Sequence, residues 1–534
     1  MPPAIMPPPS TRPAEPPASS TLSRMMRGTF WLALKTPLAV IVALWSVPLT
    51  QKYIGFANND AYLFALSFGY IQFLLEFGMG SALQKQMVDA YARGDRDGVN
   101  RAIACGMNFY AGVALIQMLV LVGIVYGGVP ARFQGNTRDL VLGLLWVQIL
   151  TTPFFGMSTV VGSVLQAARR YDFIPRLELA IVVLRFGVLA VGYWTDAPFL
   201  AVVIGQLAIQ IGLSLGPSLW VMSRELGYVP HFFGARRADY ASMLHISIYM
   251  TMMQWSVVLA DKVDINVLSY ALPSAHSEAL LTVYQNVSRP FFQIRQTGWT
   301  LAYLVMPAVV SLAAGGDRSS LERIKYDGTR FLVALLTPVT LLAGIYAAPF
   351  LELWVGRAFV PDAWMLQLFL VATLPLVLSV LSQMAIGMGK IKTVAISSLV
   401  GAVVNLPLSW FLTVRLGVSG VIWGTVLTTL ISNLLVPGLY LFRVLEISPR
   451  EFLARTLGAP TVGALALIVA AFAFRSVVSP EPGDATGLMR AVPFLANLAV
   501  GSLAYLIGYA LTSEGRGDLG VVLRKLLRRP APVG

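Results

Sequence analysis

The 534-residue chain is 56% hydrophobic and only 12% charged, whereas soluble domains carry about 25% charged residues, which excludes a water-soluble globule. Its net charge of +13 would point to nucleic acid in a soluble protein. Here the cations gather in the loops on one side of long apolar runs, so the charge reports topology and no nucleic-acid partner is expected. A spanning barrel would alternate apolar and polar residues over about 10 positions. Instead Ala111–Val125 and Val462–Phe474 are continuous apolar runs, which predicts helices that close their own backbone hydrogen bonds. The single cysteine, Cys105, permits no internal disulfide and reads as a small buried thiol.

In chain order, residues 1–27 begin rich in Pro, Ala and Ser without the apolar stretch of a signal peptide and are expected to form a disordered cytoplasmic tail. About fourteen transmembrane helices follow by length and apolarity. The first six, 30–50, 61–82, 102–126, 139–165, 177–194 and 198–222, make an N-terminal lobe over 28–222. After a cytoplasmic linker, 223–240, six more make a C-terminal lobe over 241–442, at 241–260, 278–312, 331–351, 363–388, 393–413 and 419–442. Two additional helices, 456–474 and 491–512, lie within 443–512, and a basic cytoplasmic tail occupies 513–534. Pro290 and Pro307 predict a kink in the long stretch 278–312. Gly417, Gly420 and Gly424 predict close helix packing, since no Lys-Ser/Thr pair follows them to make a phosphate loop.

With the N-terminus inside, about 27 Lys and Arg fall on the inner side and about 8 on the outer, so both termini are expected in the cytoplasm. The sequence also echoes itself. Trp45-Ser46-Val47 returns as Trp255-Ser256-Val257, Gly94-Asp95-Arg96 as Gly316-Asp317-Arg318, and Ala168-Arg169-Arg170-Tyr171 stands where Gly389-Lys390-Ile391-Lys392 stands later. The shared order predicts two pseudo-symmetric six-helix lobes, parallel repeats about an axis normal to the membrane, as transporters have.

Four cations fall inside spans: Lys35, Arg185, Arg289 and Arg295. Each costs roughly 2.5–3.5 kcal/mol to insert, which argues for a wet interior that they face. Lys35 lies near the inner end of its span, where snorkelling is an equal reading. Arg185 is mid-span, with Glu178 two turns earlier as a candidate countercharge. On the eighth span Gln285, Arg289, Gln293 and Gln296 recur at helical spacing as one polar stripe, widened by Asn286 and Arg295. That stripe is either a seam between packed helices or the lining of a water-filled cavity, and the cavity is the reading taken here. On the second span Gly69, Gln72 and Glu76 share a face, with Gln72 as a further polar lining residue. Glu76 and Glu178 are the candidates for ion coupling. Cations around a cavity favour an anionic cargo, and the planar fork of Arg suits phosphate. No catalytic set, metal site or cofactor is expected.

Several stretches resemble one family. Leu75-Glu76-Phe77-Gly78-Met79-Gly80-Ser81-Ala82 with Ala92-Arg93-Gly94-Asp95, then Leu353-Trp354-Val355-Gly356, Ile386-Gly387-Met388-Gly389-Lys390, Val404-Asn405-Leu406 and Leu416-Gly417-Val418-Ser419-Gly420-Val421-Ile422-Trp423-Gly424-Thr425 look like the multidrug/oligosaccharidyl-lipid/polysaccharide exporter superfamily, in its Wzx-like branch. The resemblance implies a MATE-like, all-α integral membrane protein with two six-helix lobes around a central cavity. It implies a flippase that moves polyprenyl-pyrophosphate-linked oligosaccharide across the bacterial inner membrane, outward, by alternating access. Lys35, Arg289 and Arg295 would then engage the pyrophosphate, with Arg185 adding to the positive field. The implied partners are the lipid-linked oligosaccharide, membrane lipid, H+ or Na+, and other glycan-assembly membrane proteins. The rivals are a cation-coupled drug antiporter, a lipid II flippase and, from another class, a membrane glycan polymerase. The outer loops are too short for the last, the largest being 261–277.

Overall fold

The computed structural model describes residues 18–128, 133–170, 173–272, 279–306, 317–481 and 487–527, with single positions 309, 312 and 315. The Pro-rich start of the chain, Tyr171, Pro307, Gly316, Arg528 and Arg529 lie outside the described residues. The described chain is helical, with no strand. Ten helices among the described residues are long and apolar enough to cross a membrane, and the chain is an integral membrane protein. Three more, Phe173–Trp194, Arg237–Asp261 and Leu280–Tyr303, have spanning length, at 22, 25 and 24 residues, and the first and third carry polar and charged side chains singled out above.

The chain folds as two compact units. One comprises the residues up to Tyr53 and Ile71–Thr251; the other comprises Ile54–Tyr70 and the residues from Met252 onward. The first boundary falls in α1 (Ala18–Ser67), where Gly55 takes φ 75° and ψ 166° and breaks the helix. Only glycine adopts that backbone without strain. After a tight turn at Phe68–Tyr70 come α2 (Ile71–Leu75) and α3 (Met79–Ala92). The single span expected over 61–82 is therefore interrupted twice. At its second break Phe77 and Gly78 both have positive φ, 49° and 63°.

In the first unit, α3, α4 (Arg96–Tyr126), α5 (Gly135–Ala167) and α7 (Phe199–Trp220) surround a core of Leu83, Met87, Ile103, Tyr110, Val160 and Leu215. A Cβ on Gly106 would stand 2.7 Å from Leu83 and 3.1 Å from Val160, so the helices approach closely because that residue has no side chain. α6 (Phe173–Trp194) packs beside α7, and α8 (Arg237–Asp261) leaves this unit at Thr251.

In the second unit α8 stops at Asp261, and α9 (Asp264–Ala271) resumes after a gap of Lys262 and Val263. Val267, Leu268 and Ser269 of α9 are buried. The stretch expected to begin the largest outer loop is thus a packed helix, and the seventh span is a broken one. Its apolar run looked complete at residue 260 because three charges in the next four residues interrupt it. α10 (Leu280–Tyr303) follows, with Pro290 inside it. Then come α11 (Arg318–Arg323), α12 (Thr329–Ile345), α13 (Ala347–Trp354), α14 (Ala363–Val371), α15 (Ser379–Gly387), α16 (Lys392–Leu416), α17 (Val418–Thr429) and α18 (Val436–Val444). Between α16 and α17 a Cβ on Gly420 would lie 2.2 Å from the carbonyl of Leu412, and one on Gly424 2.1 Å from Ser409 Oγ. These glycines let two backbones touch.

α19 (Gly458–Arg475) and α20 (Val492–Ala510) pack on α12 through Leu342, Tyr346, Leu467 and Tyr505. The last helix, α21 (Ser513–Leu527), is tied back by Asp518, which accepts two hydrogen bonds from Arg330, Nε and Nη2 each at 2.8 Å. Arg330 is buried, and it also reaches Asp327 at 3.1 Å and the Arg455 carbonyl at 3.0 Å. Removing one partner of a buried ion pair is costly, and Asp327 offsets part of the loss. Asp518→Ala is expected to cost about 2 kcal/mol, read as a lower melting temperature of the purified protein.

The sequence echoes share local geometry. Ser46 and Ser256 both donate to the carbonyl three residues earlier, at 3.1 and 2.7 Å. Asp95 and Asp317 both cap the next helix, accepting from Gly98 N at 2.8 Å and Ser320 N at 3.0 Å, with nearly equal backbones of φ −79°, ψ 87° and φ −78°, ψ 83°. The Ser320 hydroxyl and amide and the Ser319 hydroxyl hold the exposed Asp317 carboxyl at about 2, so this cap stays charged at neutral pH. Asp95→Ala is expected to cost about 1 kcal/mol, the usual value of an N-cap, again read from the melting temperature. At the third echo Arg169 and Gly389 occupy equivalent left-handed turns, φ 57° and 75°. The register is therefore Arg169 with Gly389, one residue off the alignment by sequence. A fourth echo escaped the sequence reading. Gly227 and Glu446 both turn left-handed, φ 71° and 52°, each three residues before a proline, Pro230 and Pro449.

Candidate functional site

α10 organises the candidate site in the second unit. One face is apolar and buried, through Leu281, Val287, Phe291, Ile294 and Ala302. Phe291 stacks on Phe369 of α14 at 5.0 Å between centroids and fixes the rotation of the helix. The other face presents Gln285, Arg289, Gln293 and Gln296 in one line. The first three are half-buried and Gln296 is exposed. Asn286 does not join them, since it points into the packed side and is wholly buried.

The start of α10 is held from the segment 54–70. Ala279 is left-handed, φ 52°, which leaves the first-turn amides without helical acceptors. Asp60 takes them: Oδ2 accepts from Leu281 N at 3.1 Å, and Oδ1 accepts from Thr282 N at 2.8 Å and from the Thr282 hydroxyl. Asn59 donates to Thr282 Oγ1 at 2.9 Å and to Gln285 Oε1 at 3.1 Å. Asp60 and Asn59 are wholly buried. A carboxylate at a helix N-terminus also meets the positive end of the dipole. Sequence reading placed Asn58-Asn59-Asp60 in a loop between spans and missed this cap. The run of three polar residues beside Gly55 concealed a helical segment.

Arg289 lies two turns below the cap. Its Nε is buried without a hydrogen-bond partner, and among the described residues no carboxylate reaches it. Arg295 differs. It is bonded to Asp261, the two side chains being 19% and 6% exposed, and its guanidinium lies 5.1 Å from the Phe291 centroid and 5.2 Å from that of Phe292. Arg295 is neutralised and Arg289 is not. Asp264 is buried and accepts from Tyr284 Oη at 2.6 Å and Thr425 Oγ1 at 3.2 Å.

The remaining candidates belong to the first unit. Lys35 bonds Glu178 at 2.6 Å, with side chains 26% and 44% exposed. Glu178 thus takes Lys35 as its close countercharge, 143 residues away, a pairing that no local spacing signals. Arg185 donates to Gln210 Oε1 at 2.6 Å, and Gln206 donates to the Arg185 carbonyl at 3.0 Å. Gln72 is half-buried on α2. Glu76 stands at the break before α3, where it accepts from the Tyr110 hydroxyl. A Cβ on Gly80 would meet Glu76 Oε1 at 2.5 Å, so the glycine leaves room for this bond.

Comparison with known proteins bears on the fold. A solved structure of the lipid II flippase MurJ, in an inward closed conformation, superposes with a TM-score of 0.66 over 93% of this chain and 99% of that one, at 18% identity. The chain has the fold of the MurJ and MATE transporters. An inward-facing multidrug resistance MATE family transporter of the MOP superfamily gives 0.55 over 80% of this chain and 99% of its own, at 14% identity. The eukaryotic MATE transporter AtDTX14 gives 0.56 over 82% and 97%, at 12% identity. No family model matches the sequence. A curated relative, the uncharacterized membrane protein EpsK of Bacillus subtilis (strain 168), is 23% identical over 450 residues, 79% of this chain and 84% of that one. The MurJ and MATE fold accounts for the all-helical architecture that the apolar runs and the resemblance implied.

Proposed function

We propose that this chain is a flippase for a polyprenyl-pyrophosphate-linked oligosaccharide, in the Wzx-like branch of its superfamily, moving cargo outward through fourteen spans of a bacterial inner membrane by alternating access. Both termini are cytoplasmic in this reading, and no covalent step is involved. The observation that carries it is Arg289, a cation on a polar stripe, part-buried, with Nε unbonded and no carboxylate beside it. A cation kept unneutralised at a cost of roughly 2.5–3.5 kcal/mol serves an anionic ligand, and its fork suits phosphate oxygens. Arg295 is occupied by Asp261, and Lys35 by Glu178. Arg289 is therefore the primary phosphate ligand.

The lipid II flippase MurJ and the MATE transporters share this fold, so the choice of a lipid-linked cargo over a cationic drug rests on Arg289. Lipid II and a glycan-repeat lipid share the diphosphate that Arg289 would read, so the glycan is separated by experiment. A proton or sodium gradient and the membrane potential are the candidate driving forces, and an anionic head group moving outward is helped by a negative interior. Glu76, bonded to Tyr110 at a helix break, is the better placed coupling carboxylate, since Glu178 is held by Lys35. Proteoliposomes containing the protein are expected to exchange fluorescent glycan-diphosphate lipids between leaflets. Exchange of a cationic dye for protons, with no lipid movement, would replace this reading with the drug antiporter.

A further inference from the structure

We propose that Lys262, over the rings of Tyr70 and Phe292, and Arg289, one turn before Phe292 on α10, form a two-cation subsite for the two phosphates of a lipid-linked diphosphate. The inference rests on the reading of Arg289 above and adds a second ligand to it.

Lys262 fills the gap between α8 and α9. Its Nζ lies 4.8 Å from the ring centroid of Tyr70 and 5.8 Å from that of Phe292. Phe292 is twelve residues beyond Leu280 in α10, about 18 Å along the helix axis. Lys262 is therefore deep beside α10, not in the outer loop where its sequence position put it. Phe292 is the link, since it stands one turn beyond Arg289 on the same helix. Lys262, Arg289, Tyr70 and Phe292 are all half-buried.

Among the described residues neither cation makes an ion pair. Asp261, adjacent to Lys262 in the chain, is taken by Arg295. Asp264 is turned to Tyr284 and Thr425. Among the described residues no carboxylate lies within 4.0 Å of Lys262 or Arg289. A cation over aromatic faces is partly desolvated without being discharged, and its N–H donors remain open to a ligand. A guanidinium and an ammonium beside one turn of α10 suit two linked phosphates. A monophosphate needs only one of them. The subsite thus predicts selectivity for diphosphate.

The test uses the full chain in nanodiscs, with a short-chain polyprenyl diphosphate and the matching monophosphate as probes. Wild type is expected to prefer the diphosphate. Lys262→Gln should weaken diphosphate binding about tenfold, the weight of one charge-assisted hydrogen bond, and leave the monophosphate unchanged. Lys262→Arg should restore the preference, and Arg289→Gln should weaken both probes. Where Lys262→Gln does not fold, Lys262→Met, which keeps the apolar stem against both rings, gives the same readout. An unchanged diphosphate-to-monophosphate ratio in the neutral variant, with both probes weakened by Arg289→Gln, would overturn the subsite and leave the role of Arg289 standing. Wild type binding neither probe would overturn both.

Discussion

Arg289→Gln is expected to slow lipid translocation by about 30- to 150-fold, the equivalent of the 2–3 kcal/mol that a guanidinium gains from a charged acceptor. The same substitution is expected to raise the melting temperature. The two effects have one cause. Arg289 is part-buried with Nε unbonded and no ion pair among the described residues, so under the proposed function the resting protein carries a cation whose burial the anionic cargo would offset. A structural arginine would show the opposite, since its loss would lower stability and drag transport down with it. Arg289→Lys keeps the charge but loses the planar fork, and transport between the two extremes is expected. Thermal unfolding and translocation measured on the same preparations separate the cases.

Asp60→Ala is expected to lower stability by about 3 kcal/mol or more. The loss strands the amides of Leu281 and Thr282 and the Thr282 hydroxyl, all bonded to that one buried carboxylate, and each stranded group costs about 1–3 kcal/mol. Asp60→Asn keeps one oxygen acceptor and loses the charge at the helix N-terminus, so a smaller loss is expected. Thr282→Val removes the hydroxyl alone and should be milder still. Because Arg289 lies two turns below this cap, Asp60→Ala should slow transport as well. It lowers stability and transport together, where Arg289→Gln moves them in opposite directions.

The all-helical, membrane-spanning architecture was legible in the sequence because length and apolarity are local properties. So was the stripe Gln285–Arg289–Gln293–Gln296, which needs only the helical period. What escaped depends on contacts between distant residues. Asp60 meets Thr282 across 222 positions, and Lys35 meets Glu178 across 143. Hydropathy also misjudged the places where a span is broken. The charges at Asp261, Lys262 and Asp264 looked like the end of the seventh span, although the helix resumes at once. The same misjudgement hid Lys262, which read as an outer-loop cation. Arg295 shows the converse. Its residue type and helix matched the resemblance, yet Asp261 has taken its charge, and only geometry distinguishes it from Arg289.

The most direct measurement is the fraction of fluorescent diphosphate-linked head groups shielded from an external quencher in proteoliposomes, followed over time. Wild type is expected to bring the inner-leaflet pool out to the quencher, Arg289→Gln to do so far more slowly while melting at a higher temperature, and empty liposomes not to do so. A shielded pool that wild type never exposes, for any diphosphate-linked glycan offered, would contradict it.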